Sequence, residues 1–323
     1  MPAAPLPTVP SLSSAPPLRG RIGCHAGSGY YAAPRRYRLH LSPSCPHCLR
    51  IAVTHSLLGL EQTLPVVLLP AVPDSPDGGH SALRPLYEAS SHRHPGPAAA
   101  PVLSDDWSGR IVSAHAPDIL RDLVVHFDGH SHGDGSDRAA LRLRGAEREI
   151  EAVARLCEQR ISEAAQRAGQ AGGDATQRRS ALGSLLRVLG SLERRLAEGK
   201  FILGDALTVA DVHLWVTLVQ LDTVHRLHLD AAAVHRIAEH PHLWSYARRL
   251  AAHPAFGAHL DLDGIARRHH AHCRGLEAAG AAVQILDWAG HIPRPAPDRS
   301  LDHGPTGFTQ PQYALHLRPS PSA

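Results

Sequence analysis

The sequence predicts two domains, an α/β domain over residues 36–128 followed by an all-helical domain over 138–290, and three observations predict it. Short strand-like runs alternate with helical segments up to residue 128. A polar, Gly- and His-rich stretch, residues 129–137, then interrupts the pattern as a linker. Beyond it, apolar residues recur only at helical spacing. A chain of 323 residues is long enough to bury a core in each domain.

Residues 1–35 are dominated by Pro, Ala, Gly and Ser without periodicity and read as a disordered arm. Tyr37-Arg-Leu-His-Leu41 alternates as a short strand, and Ser42-Pro-Ser-Cys-Pro46 turns the chain. Pro46 suits the first position of a helix, whose apolar face is Leu49, Ala52, Val53 and Leu57. Residues 64–69 read as a second, buried strand. Gly78, Gly79 and several prolines form a loop before a short helix over 82–89. Residues 99–103 and 110–113 are a third and fourth strand, and 118–126 another helix. This β-α-β-α-β-β-α order is that of a thioredoxin-like domain.

In the second domain Ile150, Val153, Ala154, Cys157 and Ile161 form one helical stripe, and Leu182, Leu185, Leu186, Leu189, Leu192 and Leu196 another. Leu207-Thr-Val-Ala-Asp-Val212 carries a capping box, with Thr208 capping, Asp211 reaching back, and Leu207 and Val212 as the staple. Thr208 and Asp211 are therefore structural. Further helices are expected over 241–252 and 260–272, and residues 291–323 return to Pro-rich, irregular chain.

A net charge of +3, with no Lys/Arg block interleaved with aromatics, argues against nucleic acid as a partner. No run of 18 apolar residues could span a membrane, and the N-terminus lacks the charged and apolar regions of a secretory signal. Five cysteines, an odd number without framework spacing, suit a reducing compartment, so a cytoplasmic location is expected.

Cys45-Pro46-His47-Cys48 carries the chemistry. A cysteine just before a helix sees the unpaired N–H groups and the positive end of the helix dipole, which favour thiolate. Arg35, Arg36, Arg38, His40, His47 and Arg50 lie nearby in sequence, and no acidic residue precedes Glu61. Three readings are open. A zinc site would need a second ligand pair, which His269, His270, His272 and Cys273 could supply only from the other domain, so no metal is expected. The two cysteines could be an inert structural pair. Thiol chemistry is favoured because strand, turn, cysteine and helix follow in the required order. Pro101, opening the third strand, is expected to be cis and to leave the Ala100 backbone free to pair with a thiol substrate. Cys48, one turn after Cys45, either resolves a mixed disulfide or only packs. Cys157, on a helix stripe, belongs to the core.

The string from Tyr37 to Arg50 resembles the active-site region of the glutathionyl-hydroquinone reductases, the xi class of glutathione transferases, where a strand leads into Cys-Pro-Trp-Ala-His-Arg. Cys45, Pro46 and Arg50 match; His47 and Cys48 replace Trp and Ala. Pro101-Val102-Leu103, the stretch Leu203 to Asp211, Thr217-Leu-Val-Gln-Leu-Asp222 and Pro241-His-Leu-Trp244 also follow the family. The resemblance spans about residues 36–273 and implies the glutathione-transferase fold and a homodimer. It also implies that Cys45 attacks the sulfur of a glutathionyl-hydroquinone, the hydroquinone leaves, and a second glutathione resolves the mixed disulfide.

Departures fall on the ligand sites. The family holds the γ-glutamyl group with a Glu-Ser pair, where this chain has His115 and Ala116. The family's Trp in the loop after the second strand has no counterpart between Leu69 and Tyr87. Two family tyrosines near the hydroquinone fall at or near His225 and His269, which either pack or donate to a phenolate leaving group, whereas His228 matches a family histidine. Ala100, Pro101, His115, Ala116 and Arg50 are thus the expected thiol-binding residues. A histidine in place of the glutamate repels an ammonium when protonated, so the co-substrate is either glutathione or another small thiol. Mycothiol, common in high-G+C actinobacteria, is one candidate, because Lys200 is the single lysine beside many arginines, a high-G+C coding bias. The sequence therefore points to a thiol-dependent reductase or transferase acting on quinone-derived or related aromatic conjugates. A glutaredoxin-like thiol–disulfide oxidoreductase and a non-enzymatic module of the same fold are the alternatives.

Overall fold

The structure, a computed structural model, describes residues 18–127, 141, 145–170, 174–273 and 277–291. The expected linker at 129–137 and the tail beyond His291 lie outside the described residues, as does the arm before Leu18.

The first half is a four-stranded sheet in the order β2-β1-β3-β4, built from β1 (Tyr37–Leu41), β2 (Val66–Leu68), β3 (Val102–Asp105) and β4 (Arg110–Ser113). β1 pairs parallel with β2, Leu39 opposite Val66, and antiparallel with β3, Leu39 opposite Leu103. β3 and β4 form an antiparallel pair with an irregularity at Leu103/Ser104. Helices α1 (Pro46–Leu57), α2 (Arg84–Ser90) and α3 (Ala116–His126) complete a thioredoxin-like domain. Expected strand two proves shorter than predicted and is an edge strand, with Val66 and Val67 half-buried and Leu68 exposed.

The segment before β1 corrects the reading of an irregular arm over 1–35, for residues 18–35 are built onto the domain. The Gly20 amide donates to Val112 O at 2.8 Å and the Ala114 amide to Leu18 O at 2.8 Å, so this stretch runs along the outer edge of β4. Ile22 is buried, its amide donating to Asp122 Oδ2 at 2.8 Å. These contacts use backbone and isolated side chains, which leave no periodicity in the sequence to read.

Helical structure follows throughout the second half: α4 (Glu147–Arg155), a π-helical stretch Leu156–Ser162 and α5 (Glu163–Gly169), then α6 (Ala175–Glu198) and α7 (Val209–Thr223). α8 (Ala231–Ala238), α9 (Pro241–Ala251), α10 (Pro254–Gly257) and α11 (Leu262–Cys273) complete it. α7 is buried on nearly every side, which explains its lack of a polar face. Its capping box is present as the sequence predicts: Asp211 accepts from the Thr208 amide (2.8 Å) and hydroxyl (3.0 Å), and also from the Ile202 amide and Tyr246 hydroxyl at 2.9 Å each. No described helix is long and apolar enough to cross a membrane.

α1 ties the two cores together. Leu49 and Val53 pack into the helical core, whereas Cys45, Cys48 and Ile51 pack into the core between sheet and helices, the cluster to which Ala100 and Ala116 also belong. The helix that begins at Cys45 is thereby fixed from both sides.

Candidate active site

Cys45 is the N-cap of α1, in extended conformation (φ −83°, ψ 125°), with Pro46 following and the Leu49 amide donating to its carbonyl at 2.9 Å. The turn that delivers it is fastened to the loop after β2: Ser42 Oγ donates to Pro70 O at 3.0 Å, and Ser44 Oγ donates to Ala71 O. Cys45 is 6% exposed and Cys48 1%.

The two sulfurs divide their acidities. The Cys48 thiol donates to the Cys45 sulfur and outweighs burial; the Cys48 amide and the charges of His47 and Arg268 act in the same sense, so the Cys45 thiol titrates well below the ordinary range. Burial, and the charge on Cys45, push Cys48 far up. The arrangement thus favours negative charge on Cys45 over Cys48.

The cations that precede Cys45 in sequence do not supply its charge stabilisation. Arg36 is buried against Asp105 (Nε to Oδ1 2.9 Å) among Tyr30, Tyr31, Tyr37 and Trp107. Arg38 pairs with Asp106 at 2.9 Å, and His40 hydrogen-bonds Ser104 Oγ at 3.0 Å. These partners lie on or just after β3, which pulls the side chains away from the cysteine. The sequence reading missed Arg268, which comes from α11. There Gly264 permits the approach, since a Cβ on it would stand 2.8 Å from Ala71 Cβ, and Arg268 is one turn further along. His80 was missed as well; it is buried, its amide donates to Ala98 O at 2.8 Å, and burial followed by Arg268 lowers its imidazole.

The Ala100–Pro101 peptide is cis. The chain leading to it is pinned by Tyr87, whose hydroxyl donates to Ala99 O at 2.8 Å. Arg50 is almost wholly buried, with Nη2 donating to Thr217 Oγ1 at 3.3 Å and Nη1 3.3 Å from His47 Nδ1, while Nε has no partner. It lines a cavity of about 690 Å³ together with His47, Ala116, Pro117 and His213. Burial, then the charges of Arg50 and His47, push His213 down to about 3. The cavity adjoins the cysteine helix, and Cys45 is not among its lining residues.

At the start of α3, His115 is the N-cap and its Nδ1 lies 2.9 Å from Asp118 Oδ2. Asp118 also takes Arg19 Nε at 2.8 Å and lies 3.7 Å from Arg21. Burial raises that carboxyl, but the hydrogen bond from Arg19 and the charges of His115, Arg19 and Arg21 outweigh it and hold it low. The carboxylate at this helix start is thus already engaged. His225 and His269 are brought together beside His228; burial and then the other two imidazoles push His225 down to about 4. His228 and His269 have ring centroids 5.0 Å apart, and Cys273 sits against both.

Residues 146–249 match the model of the family described as glutathione S-transferase, C-terminal domain. The chain is 28% identical over 252 residues to the glutathionyl-hydroquinone reductase PcpF of Sphingobium chlorophenolicum, covering 73% of this chain and 78% of that one. It is 27% identical over 268 residues to the glutathionyl-hydroquinone reductase YqjG of Escherichia coli, covering 78% and 79%. The crystal structure of a glutathione transferase from Gordonia bronchialis superposes with a TM-score of 0.69 at 28% identity, over 80% of this chain and 83% of that one. The chain has the glutathione-transferase fold, and by sequence and structure it is a relative of the glutathionyl-hydroquinone reductases.

Proposed function

We propose that the protein is a thiol-dependent reductase in which Cys45 is the nucleophile, acting on thiol conjugates of hydroquinones or related aromatics. The observation that carries this reading is the Cys45–Cys48 pair at the N-terminus of α1, with the charge held on Cys45. The Cys45 thiolate attacks the thioether sulfur of the conjugate. A Cys45–sulfur bond forms, the sulfur–aryl bond breaks, and the aromatic carbon takes up a proton to leave as hydroquinone. A second small thiol, as thiolate, then attacks the mixed disulfide, which yields the oxidised thiol dimer and regenerates the Cys45 thiolate. Arg50, buried with a free Nε beside the cavity, is the cation suited to a carboxylate of the thiol. The relatives are named for glutathione, but engagement of Asp118 by Arg19, Arg21 and His115 leaves no carboxylate there for a γ-glutamyl ammonium, which favours a thiol such as mycothiol.

One observation favours a second reading, a thiol–disulfide oxidoreductase, because Cys48 lies one turn after Cys45 on α1 and its thiol lowers Cys45 by hydrogen bonding. Its raised acidity constant makes it a donor rather than an attacking thiolate, so conjugate reduction stands first. The test is intact-mass analysis after exposure to a glutathionyl-hydroquinone, with a mycothiol conjugate in parallel. A single thiol adduct on Cys45, absent from Cys45→Ser and retained in Cys48→Ser, is expected. Full turnover by Cys45→Ser would refute it; an internal disulfide formed in place of the adduct would favour the second reading.

A further inference from the structure

We infer that the helical half holds a zinc-class cation between His228 Nε2, His269 Nδ1 and Cys273 Sγ. The sequence places His269 and Cys273 among possible zinc ligands only as partners of the CxxC pair, and so leads to no metal being expected; the structure instead joins them to His228, from a second element and apart from that pair. His269 and Cys273 are four apart on α11, on one face of the helix. His228 ends the short 3₁₀ turn His225–His228.

The three ligand atoms all lie within 4.8 Å of one another. Cys273 Sγ is 3.6 Å from His228 Nε2 and 3.5 Å from His269 Nδ1. A tetrahedral zinc, with bonds of about 2.3 Å to sulfur and about 2.0–2.1 Å to nitrogen, sets its sulfur and nitrogen ligands about 3.5–3.6 Å apart. Both sulfur–nitrogen distances therefore match those of an ion held between these ligands.

Both sides of the site are held. Arg226 Nη1 donates to Ala281 O and Val283 O at 2.9 and 2.6 Å, and the Ala278 amide donates to Leu227 O at 2.7 Å, which clamps the turn bearing His228. Gly169, ending α5, leaves room for that histidine, since a Cβ there would stand 2.7 Å from His228 Cβ. His269 is buried, and its other nitrogen, Nε2, makes no hydrogen bond but faces Glu277 Oε1 at 4.0 Å. A carboxylate behind a ligating imidazole orients it and strengthens it as a donor. Cys273 is half-buried, and the site supplies three protein ligands, the number typical of sites that keep a fourth position for water or an added ligand. Imidazole and thiolate together select zinc, or cobalt as its spectroscopic stand-in, over magnesium or calcium.

Cobalt(II) titration of the metal-stripped full chain under reducing conditions tests the site. One cobalt per chain is expected, with a thiolate-to-cobalt charge-transfer band and the visible bands of a tetrahedral ion, all displaced by zinc. Cys273→Ser should lose the charge-transfer band, and His228→Asn and His269→Asn should each weaken binding at least tenfold. A Cys45→Ser/Cys48→Ser double variant should bind as the parent does. X-ray absorption of the zinc form, which needs no variant, should show one sulfur and two imidazole nitrogens. Absence of stoichiometric binding, survival of the band in Cys273→Ser, or its loss in the double variant would each overturn the assignment. None of these readouts depends on catalysis, so they fail or succeed separately from the reading of Cys45.

Discussion

The Cys48 thiol, one helical turn inside Cys45, donates a hydrogen bond to the Cys45 sulfur and so keeps the negative charge on the N-cap residue. A hydrogen bond to a charged acceptor contributes about 1.5–3 kcal/mol, or about 1–2 pH units in the acidity of the acceptor. Cys48→Ala should raise the alkylation midpoint of Cys45 by about that much. Cys48→Ser keeps a donor and should raise it less. Iodoacetamide rates against pH, read by mass spectrometry at Cys45, check both. Equal midpoints in all three proteins would mean that the pair does not share its proton as described.

Arg268 gives a second handle on the same sulfur. It lies on α11, far from Cys45 in sequence, and its charge favours both thiolates. Arg268→Gln should shift the Cys45 midpoint upward by a few tenths of a pH unit, the scale of a partly screened charge. The shift should shrink at high salt. A salt-independent shift would point to a structural change instead.

What could be read from the sequence was what local chemistry dictates. β1 and β4 fall where the reading placed them, and Pro46 opens α1 behind Cys45 because proline fits the first helical position. The Thr208–Asp211 box is equally local. Contacts between distant segments were not legible. Arg36 is an apparent neighbour of Cys45 until Asp105 captures it, and Arg268 becomes one only because Gly264 lets α11 approach Ala71. Residues 18–35 pair through backbone groups that any sequence carries. His228 meets His269 and Cys273 only through the clamp around Arg226.

Asp211 anchors α7 to three other residues of the helical half, Thr208, Ile202 and Tyr246. Its carboxylate serves the Thr208 amide and hydroxyl, the Ile202 amide and the Tyr246 hydroxyl, all buried. Asp211→Ala would orphan these donors, and each unsatisfied buried group costs about 1–3 kcal/mol. A loss of about 3 kcal/mol or more is therefore expected, seen as a clear drop in Tm by circular dichroism. A change below about 1 kcal/mol would contradict the anchoring role.

Several histidines are buried neutral. Burial lowers His40 and His55, and with Arg268 it lowers His80. Their folded acidity constants lie below the unfolded value of about 6.5, so the unfolded chain binds more protons between the two. Their contribution to stability is complete above about pH 6.5 and is lost as pH falls through the folded values. Tm should therefore drop as pH falls below about 6.5, where the unfolded chain takes up protons that the folded one does not. His55 Nε2 donates to Leu64 O at 2.7 Å, so His55→Gln, which keeps a donor, should flatten part of that slope. An unchanged slope would assign the acid sensitivity to other groups.

The proposed choice of thiol rests on the start of α3. An unpaired carboxylate at the position of His115, with a hydroxyl at Ala116, would meet a γ-glutamyl ammonium at the N-terminus of the helix. In this chain Asp118 is the local carboxylate, and Arg19, Arg21 and His115 already compensate it. Glutathione should then bind weakly, because its ammonium meets a neutral, engaged surface. His115→Glu with Ala116→Ser adds a free acceptor and removes one partner of Asp118. Glutathione affinity should rise at least tenfold, about 1.4 kcal/mol, in isothermal titration calorimetry. Because the gain depends on a charge pair, it should fall as salt is raised. A parent that already binds glutathione tightly, with no gain in the double variant, would show that the amino group is held by other residues.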